Sequence, residues 1–147
     1  MIVRRGFSLV ELMVVIVIMG ILGAGVMLSS SSAVASARAL TIINDLRSLK
    51  EAALLFYLDN PDTALSLDGL KTYIENPDKI TDTLYKVTQN TTTNAYFISY
   101  SLATEPSKES IKTRLTSRAK SAGLLGDTGD TPAAYDGTGD KVYVKAY

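Results

Sequence analysis

The chain has 147 residues, enough for one modest domain with one core. Lysine plus arginine and aspartate plus glutamate number 15 each, so no basic field points to nucleic acid and no acidic run to a disordered tail. Cysteine and histidine are both absent, which excludes disulfides, cysteine nucleophiles, serine–histidine triads, the usual zinc sites and haem ligation by those residues.

Residues 1–6 form a short basic head in which Arg4 and Arg5 precede Gly6. Arginines ahead of an apolar span stay on the cytoplasmic side, which places the following chain outside. A chain beginning at Phe7 keeps two fewer cations, 13 against 15 anions. Residues 7–28 are apolar or small apart from Ser8 and Glu11. That is about the length needed to cross a bilayer as a helix. Val14, Val15, Ile16, Val17 and Ile18 are β-branched and weaken a helix in water. In lipid the backbone must close its own hydrogen bonds, so a helix is expected regardless. Gly20, Gly23 and Gly25 interrupt the run. Two readings of them stay open, a helix that bends or melts over 20–32 and a helix that neighbours approach closely.

Residues 29–58 change character. Ala35, Ala39, Ile42, Leu46, Leu49, Ala53 and Phe56 recur at steps of three and four, with Arg38, Asn44, Asp45, Arg47, Lys50 and Glu51 largely between them. This spacing predicts an amphipathic helix with one buried stripe. The first proline is Pro61, so one helix can run from Phe7 to Leu58. At 1.5 Å per residue it would be about 75–80 Å long, too long to bury itself in so small a chain.

Residues 59–147 read as an α+β head. Ser66 caps a short helix whose Leu67, Leu70 and Ile74 share a face and which Asn76-Pro77 ends. Residues 84–88 and 95–102 predict an antiparallel hairpin around the polar turn 89–94. A second amphipathic helix is expected over 107–122, with Ser107 as its cap, Ile111, Leu115, Ala119 and Ala122 as its stripe and Gly123 as its stop. Lys141-Val142-Tyr143-Val144-Lys145 predicts a last strand. No internal repeat is evident. The fold class expected is therefore α+β, a long N-terminal helix packed on a small antiparallel sheet.

The N-terminus admits three readings. One is a secretory signal cut at Ala35-Ser36-Ala37, freeing a soluble domain from Arg38. A second is a plain membrane anchor. The first leaves Glu11 unexplained, because a charge well inside an apolar span costs about 2.5–3.5 kcal/mol on insertion scales, and the second explains it only as a residue near enough to the interface to reach water. The third rests on likeness. Gly6-Phe7-Ser8-Leu9-Val10-Glu11-Leu12, behind a basic leader and ahead of an apolar run, resembles the processing site of type IV prepilins and of type II secretion pseudopilins.

The resemblance implies a pilin-like fold and cleavage between Gly6 and Phe7 by a membrane-embedded prepilin peptidase, which also methylates the new amine of Phe7. It implies that Glu11 and Phe7 direct assembly, that Gly20, Gly23 and Gly25 supply any helix flexibility, and that the product is a homo-oligomeric helical filament. The implied partners are that peptidase, the inner-membrane assembly machinery and the membrane before assembly. The implied location is the inner membrane as a single-pass precursor with its head outside, then an extracellular filament. Elementary electrostatics fits this. Cleavage turns a neutral amide at Phe7 into an amine charged at neutral pH, which gives Glu11 a cation partner. The chain departs from many pilins in having Val26-Met27-Leu28 where a proline is usual, and in lacking a C-terminal cysteine pair. It also lacks the tryptophan-containing tail associated with major pseudopilins, which favours the pilin.

Two further patterns stand apart. Asp127, Asp130, Asp136 and Asp140 are close enough in sequence to converge on calcium, although Asp-Gly and Asp-Thr are also ordinary turn formers. Asn90-Thr91-Thr92 fits the glycosylation pattern but also a solvated turn. Tyr135 and Tyr147 are candidate surface contacts within a late cluster of tyrosines. No phosphate loop, paired carboxylate site or basic groove stands out, so no enzyme and no other cofactor is expected.

Overall fold

The computed structural model describes residues 7–147, with the side chains of residues 25–30 outside that description. The leader, with Arg4, Arg5 and Gly6, lies outside the described residues, as do the side chains of Gly25 and of Val26-Met27-Leu28. Contacts divide the chain into two units, residues 1–34 and 35–147.

Helix α1 is Leu9–Asp59. It is helical through Gly20, Gly23 and Gly25, because the sequence holds no proline before Pro61 and the glycines break no hydrogen bond. It closes where the Asn60 N–H donates to the Phe56 carbonyl at 2.8 Å and Pro61 forbids a further turn. In the first unit every described side chain from Phe7 to Ala24 is exposed. Among the described residues, no helix is long and apolar enough to cross a membrane. The bilayer span read from residues 7–28 therefore stands on the sequence alone.

The second unit holds the core. All seven stripe residues of α1 are buried there, with Ala39, Ile42, Leu46, Leu49 and Ala53 fully enclosed, and Ile43 and Ala52 widen the stripe. Burying each of the larger aliphatic side chains contributes about 1.5–3 kcal/mol. They pack on a three-stranded antiparallel sheet of order β1-β2-β3, namely β1 (Tyr85–Gln89), β2 (Tyr96–Ser101) and β3 (Lys141–Lys145). Register pairs Tyr85 with Tyr100 and Tyr100 with Val142, so alternate side chains put Tyr85, Ile98, Tyr100, Val142 and Val144 into one core with α1. β2 is central, and Phe97 and Ser99 on its opposite face are buried as well. The arrangement is the α+β one expected.

Helix α2 (Leu67–Lys71) is capped as predicted, the Ser66 Oγ accepting from the Gly69 N–H at 3.1 Å. It ends sooner than predicted. Asn76-Pro77 does not terminate it but opens a separate 3-10 turn, Pro77–Lys79, because proline at a first helical position loses no hydrogen bond. Helix α3 (Lys108–Ala122) buries Ile111, Leu115 and Ala119, and Gly123 follows in the left-handed conformation (φ 69°). Ser107 does not cap it. This residue is itself left-handed (φ 58°, ψ 34°) and makes no side-chain cap bond. A Cβ in that region costs about 1–2 kcal/mol, which glycine avoids while losing about 0.5–1 kcal/mol in chain entropy. Ser107→Gly is therefore expected to raise stability by up to about 1 kcal/mol, a melting shift of a few degrees. A melting point that falls would show that the Ser107 hydroxyl has an unrecognised structural use.

Candidate assembly site and the polar ties of the head

The assembly residues of the sequence analysis lie at the start of α1. Phe7 is 81 % exposed and precedes the helix. The Ser8 carbonyl accepts from the Leu12 N–H at 3.2 Å, which makes Ser8 the residue at the helix entrance. Glu11 stands at the third helical position, and its Oε2 accepts from the Ser8 backbone N–H at 3.0 Å. Ser8-Leu9-Val10-Glu11 is thus a serine followed three residues on by glutamate, with the carboxylate returning to the entrance amide as in a capping box. The positive end of the helix dipole favours the same carboxylate. This local use of Glu11 was readable from the Ser-x-x-Glu spacing and is absent from the sequence analysis above.

Behind it the surface is apolar throughout. Leu9, Leu12, Ile16, Met19, Ile21 and Leu22 are each at least half exposed. Nothing stands within 4 Å of a side chain placed at Gly20 or Gly23, so in a single chain neither glycine is needed for packing. A contiguous apolar face of this extent is more than an isolated soluble chain ordinarily presents.

Residues 1–27 match the model of the prokaryotic N-terminal methylation motif. The chain carries the type IV prepilin and pseudopilin signature. It is pilin- or pseudopilin-like in that sense, and the signature belongs to a structural, typically non-enzymatic class. It implies processing by prepilin peptidase. No curated protein and no solved structure matches the chain.

In this prepilin-type chain, two polar ties join the sheet to α1 across the head. The Tyr85 hydroxyl donates to Asp45 Oδ2 at 2.9 Å, and burial, followed by that bond, pushes its ionisation well up. The second tie is stronger. Arg38 Nε donates to Glu105 Oε1 and Oε2 at 3.1 and 3.0 Å, and Arg38 Nη2 donates to Glu105 Oε1 at 2.5 Å and to the Tyr100 hydroxyl at 3.0 Å. The Tyr100 hydroxyl also donates to Glu105 Oε1. The Glu105 side chain is 6 % exposed and that of Arg38 40 %. The hydrogen bonds from Arg38 hold the Glu105 carboxyl below its ordinary range, and the same partner raises the guanidinium of Arg38. Burial pushes the Tyr100 hydroxyl up to about 12.

The four tail aspartates take separate structural roles. Asp127 Oδ1 accepts from the Gly129 N–H, and Asp136 Oδ1 from the N–H and the hydroxyl of Thr138. Asp130 Oδ1 accepts from Asn90 Nδ2 at 3.2 Å. Asp140 lies 3.0 Å from Lys108 Nζ and 2.7 Å from Lys112 Nζ, and these lysines hold its carboxyl below the usual range. Among the described residues no three acidic, histidine or cysteine side chains gather as a metal site. Calcium is accordingly expected to leave the melting temperature unchanged. A rise of several degrees that a chelator reverses would mean that the loop rearranges around an ion.

Asn90 is occupied too. Its Nδ2 donates to the Thr128 carbonyl at 2.7 Å while its Oδ1 accepts from the Thr92 and Thr93 N–H groups, so it pins the 127–130 loop to the hairpin turn. Tyr135 is not a surface contact. It is 2 % exposed and its hydroxyl donates to the Gly139 carbonyl. Tyr147 is half-buried, with its ring 4.7 Å from Tyr57 and 5.3 Å from Tyr96.

Proposed function

We propose that the chain is the structural subunit of a type IV pilus filament, built by helix packing after the leader is removed between Gly6 and Phe7. The observation that carries this is the exposed apolar face that α1 presents within the methylation motif. Such a face needs cover, and two successive covers suit it. Lipid covers it in the precursor, held in the inner membrane by residues 7–28 with the head outside. The same face of neighbouring copies covers it in the filament, where van der Waals packing replaces lipid contact. Phe7 is then the methylated residue, and Glu11 pairs with its new amine. Gly20, Gly23 and Gly25 give close approach or local melting. The partners are further copies of the chain, the prepilin peptidase and the inner-membrane assembly machinery.

The secreted-domain alternative fits less well. A cut after Ala37 would remove Ala35, which is 2 % exposed in the core. A pseudopilin of a type II secretion or related DNA-uptake system shares the same motif, and the absence of cysteine is one feature favouring it. Mass spectrometry of the mature N-terminus tests the proposal. The expected product begins with methylated Phe7, whereas one beginning at Arg38 would establish a secreted domain.

A further inference from the structure

The head carries two grooves of opposite charge that both border α1 and share no lining residue. One is lined by Asp45, Glu51 and Glu75, with Lys79 as its single cation. The other is lined by Arg47, Lys50, Lys120 and Lys145 and has no carboxylate. On α1 these charges alternate along the chain as Asp45, Arg47, Lys50 and Glu51. At 100° per residue Arg47 and Lys50 stand about 60° apart and Asp45 lies about 140° or more from both, while Glu51 falls between them and Asp45, about 40° from Arg47. Helix α3 and strand β3 add Lys120 and Lys145 to the cationic side. All four cations are exposed, and among the described residues none has an ion-pair partner within its own chain. Glu51 and Glu75 are exposed and equally unpaired.

Four like charges gathered on one surface repel one another, and an opposite charge brought against them relieves that repulsion. The same molecule offers one of the right sign in its other groove. Two different patches of one chain that complement each other make a head-to-tail contact, and a head-to-tail contact that does not close generates an open helix.

We propose that the basic groove at Arg47, Lys50, Lys120 and Lys145 docks the acidic groove at Asp45, Glu51 and Glu75 of the next copy of this chain. The inference rests on the filament reading and adds to it the surface that sets which flank of one head meets which flank of the next. Charges facing across such an interface fix register and reject like-with-like approach.

The test uses full-length chain assembled into filaments. The chain has no cysteine, so introduced thiols report only the contact in question. Lys50→Cys copies mixed with Glu75→Cys copies are expected to give a dimer with a short bis-maleimide, and neither variant alone is expected to do so. In parallel, Arg47→Glu/Lys50→Glu and Glu51→Lys/Glu75→Lys should each lower filament yield about tenfold, and mixing the two variants should restore it. Dimers from Lys50→Cys alone, or unchanged yields from both reversals, would overturn the proposal while leaving the filament reading in place. Wild-type chain that is cut after Gly6 yet forms no filament would overturn both. DNA retained by wild-type filaments and lost from Arg47→Glu/Lys50→Glu filaments of normal yield would give the basic groove to nucleic acid instead.

Discussion

Glu11→Ala is expected to be cut after Gly6 as efficiently as the wild type and to lower filament yield about a hundredfold. The physical reason is the amine that the proposed cleavage creates at Phe7. Among the described residues the partner of Glu11 is the Ser8 N–H, at the exposed entrance of α1. In the proposed filament the same carboxylate would be enclosed by apolar helices, where an unpaired charge is strongly unfavourable and breaking a charge pair costs about 3–5 kcal/mol. A loss of about 3 kcal/mol per contact corresponds to about a hundredfold in association. The capping geometry supplies the control. Glu11→Gln keeps an oxygen that accepts from Ser8 N–H and loses the charge. If pairing with the Phe7 amine drives assembly, the Gln variant fails as the Ala variant does. Normal filaments from Glu11→Gln would mean that the cap, and not the charge, is what assembly needs. Yield is read by electron microscopy and sheared-filament recovery, with leader removal checked by mass.

Arg38→Ala is expected to destabilise the head by about 2–3 kcal/mol, a fall in melting temperature of about 10 °C followed by the near-ultraviolet tyrosine signal of the full chain in detergent. The lower part of the range for buried ion pairs applies because the Arg38 side chain is 40 % exposed and Tyr100 still serves the stranded Glu105. The pair also has a pH signature. The folded Glu105 carboxyl titrates below its ordinary value, so its contribution is complete above the unfolded value of about 4.3 and is lost as pH falls through the lowered folded value. The melting gap between wild type and Arg38→Ala should therefore narrow as the solution is acidified below about pH 4. A gap of equal size at neutral and acid pH would show that Arg38 acts through its packed aliphatic stem alone.

Much of this molecule was legible in its residues. The stripe Ala35, Ala39, Ile42, Leu46, Leu49, Ala53 and Phe56 is buried as its period required. The strands lie within a residue or two of the runs of aromatic and β-branched residues that mark them. Short-range errors have short-range causes. The α2 boundary was misread because Asn-Pro both ends helices and opens 3-10 turns, and a serine at a helix start reads as a cap whatever its φ.

The sequence by itself determined the leader signature, the apolar run behind it and the two-faced second half of α1. Those depend on composition and on periods of two and 3.6 residues, which are local properties of the chain. Only the tertiary structure decided which charges meet. Arg38 and Glu105 are 67 residues apart, and the cations at 47, 50, 120 and 145 come from three separate elements. A chain with equal numbers of both signs reads as featureless by count. Its folding sorts them, because the sheet and α3 bring distant cations beside two of α1.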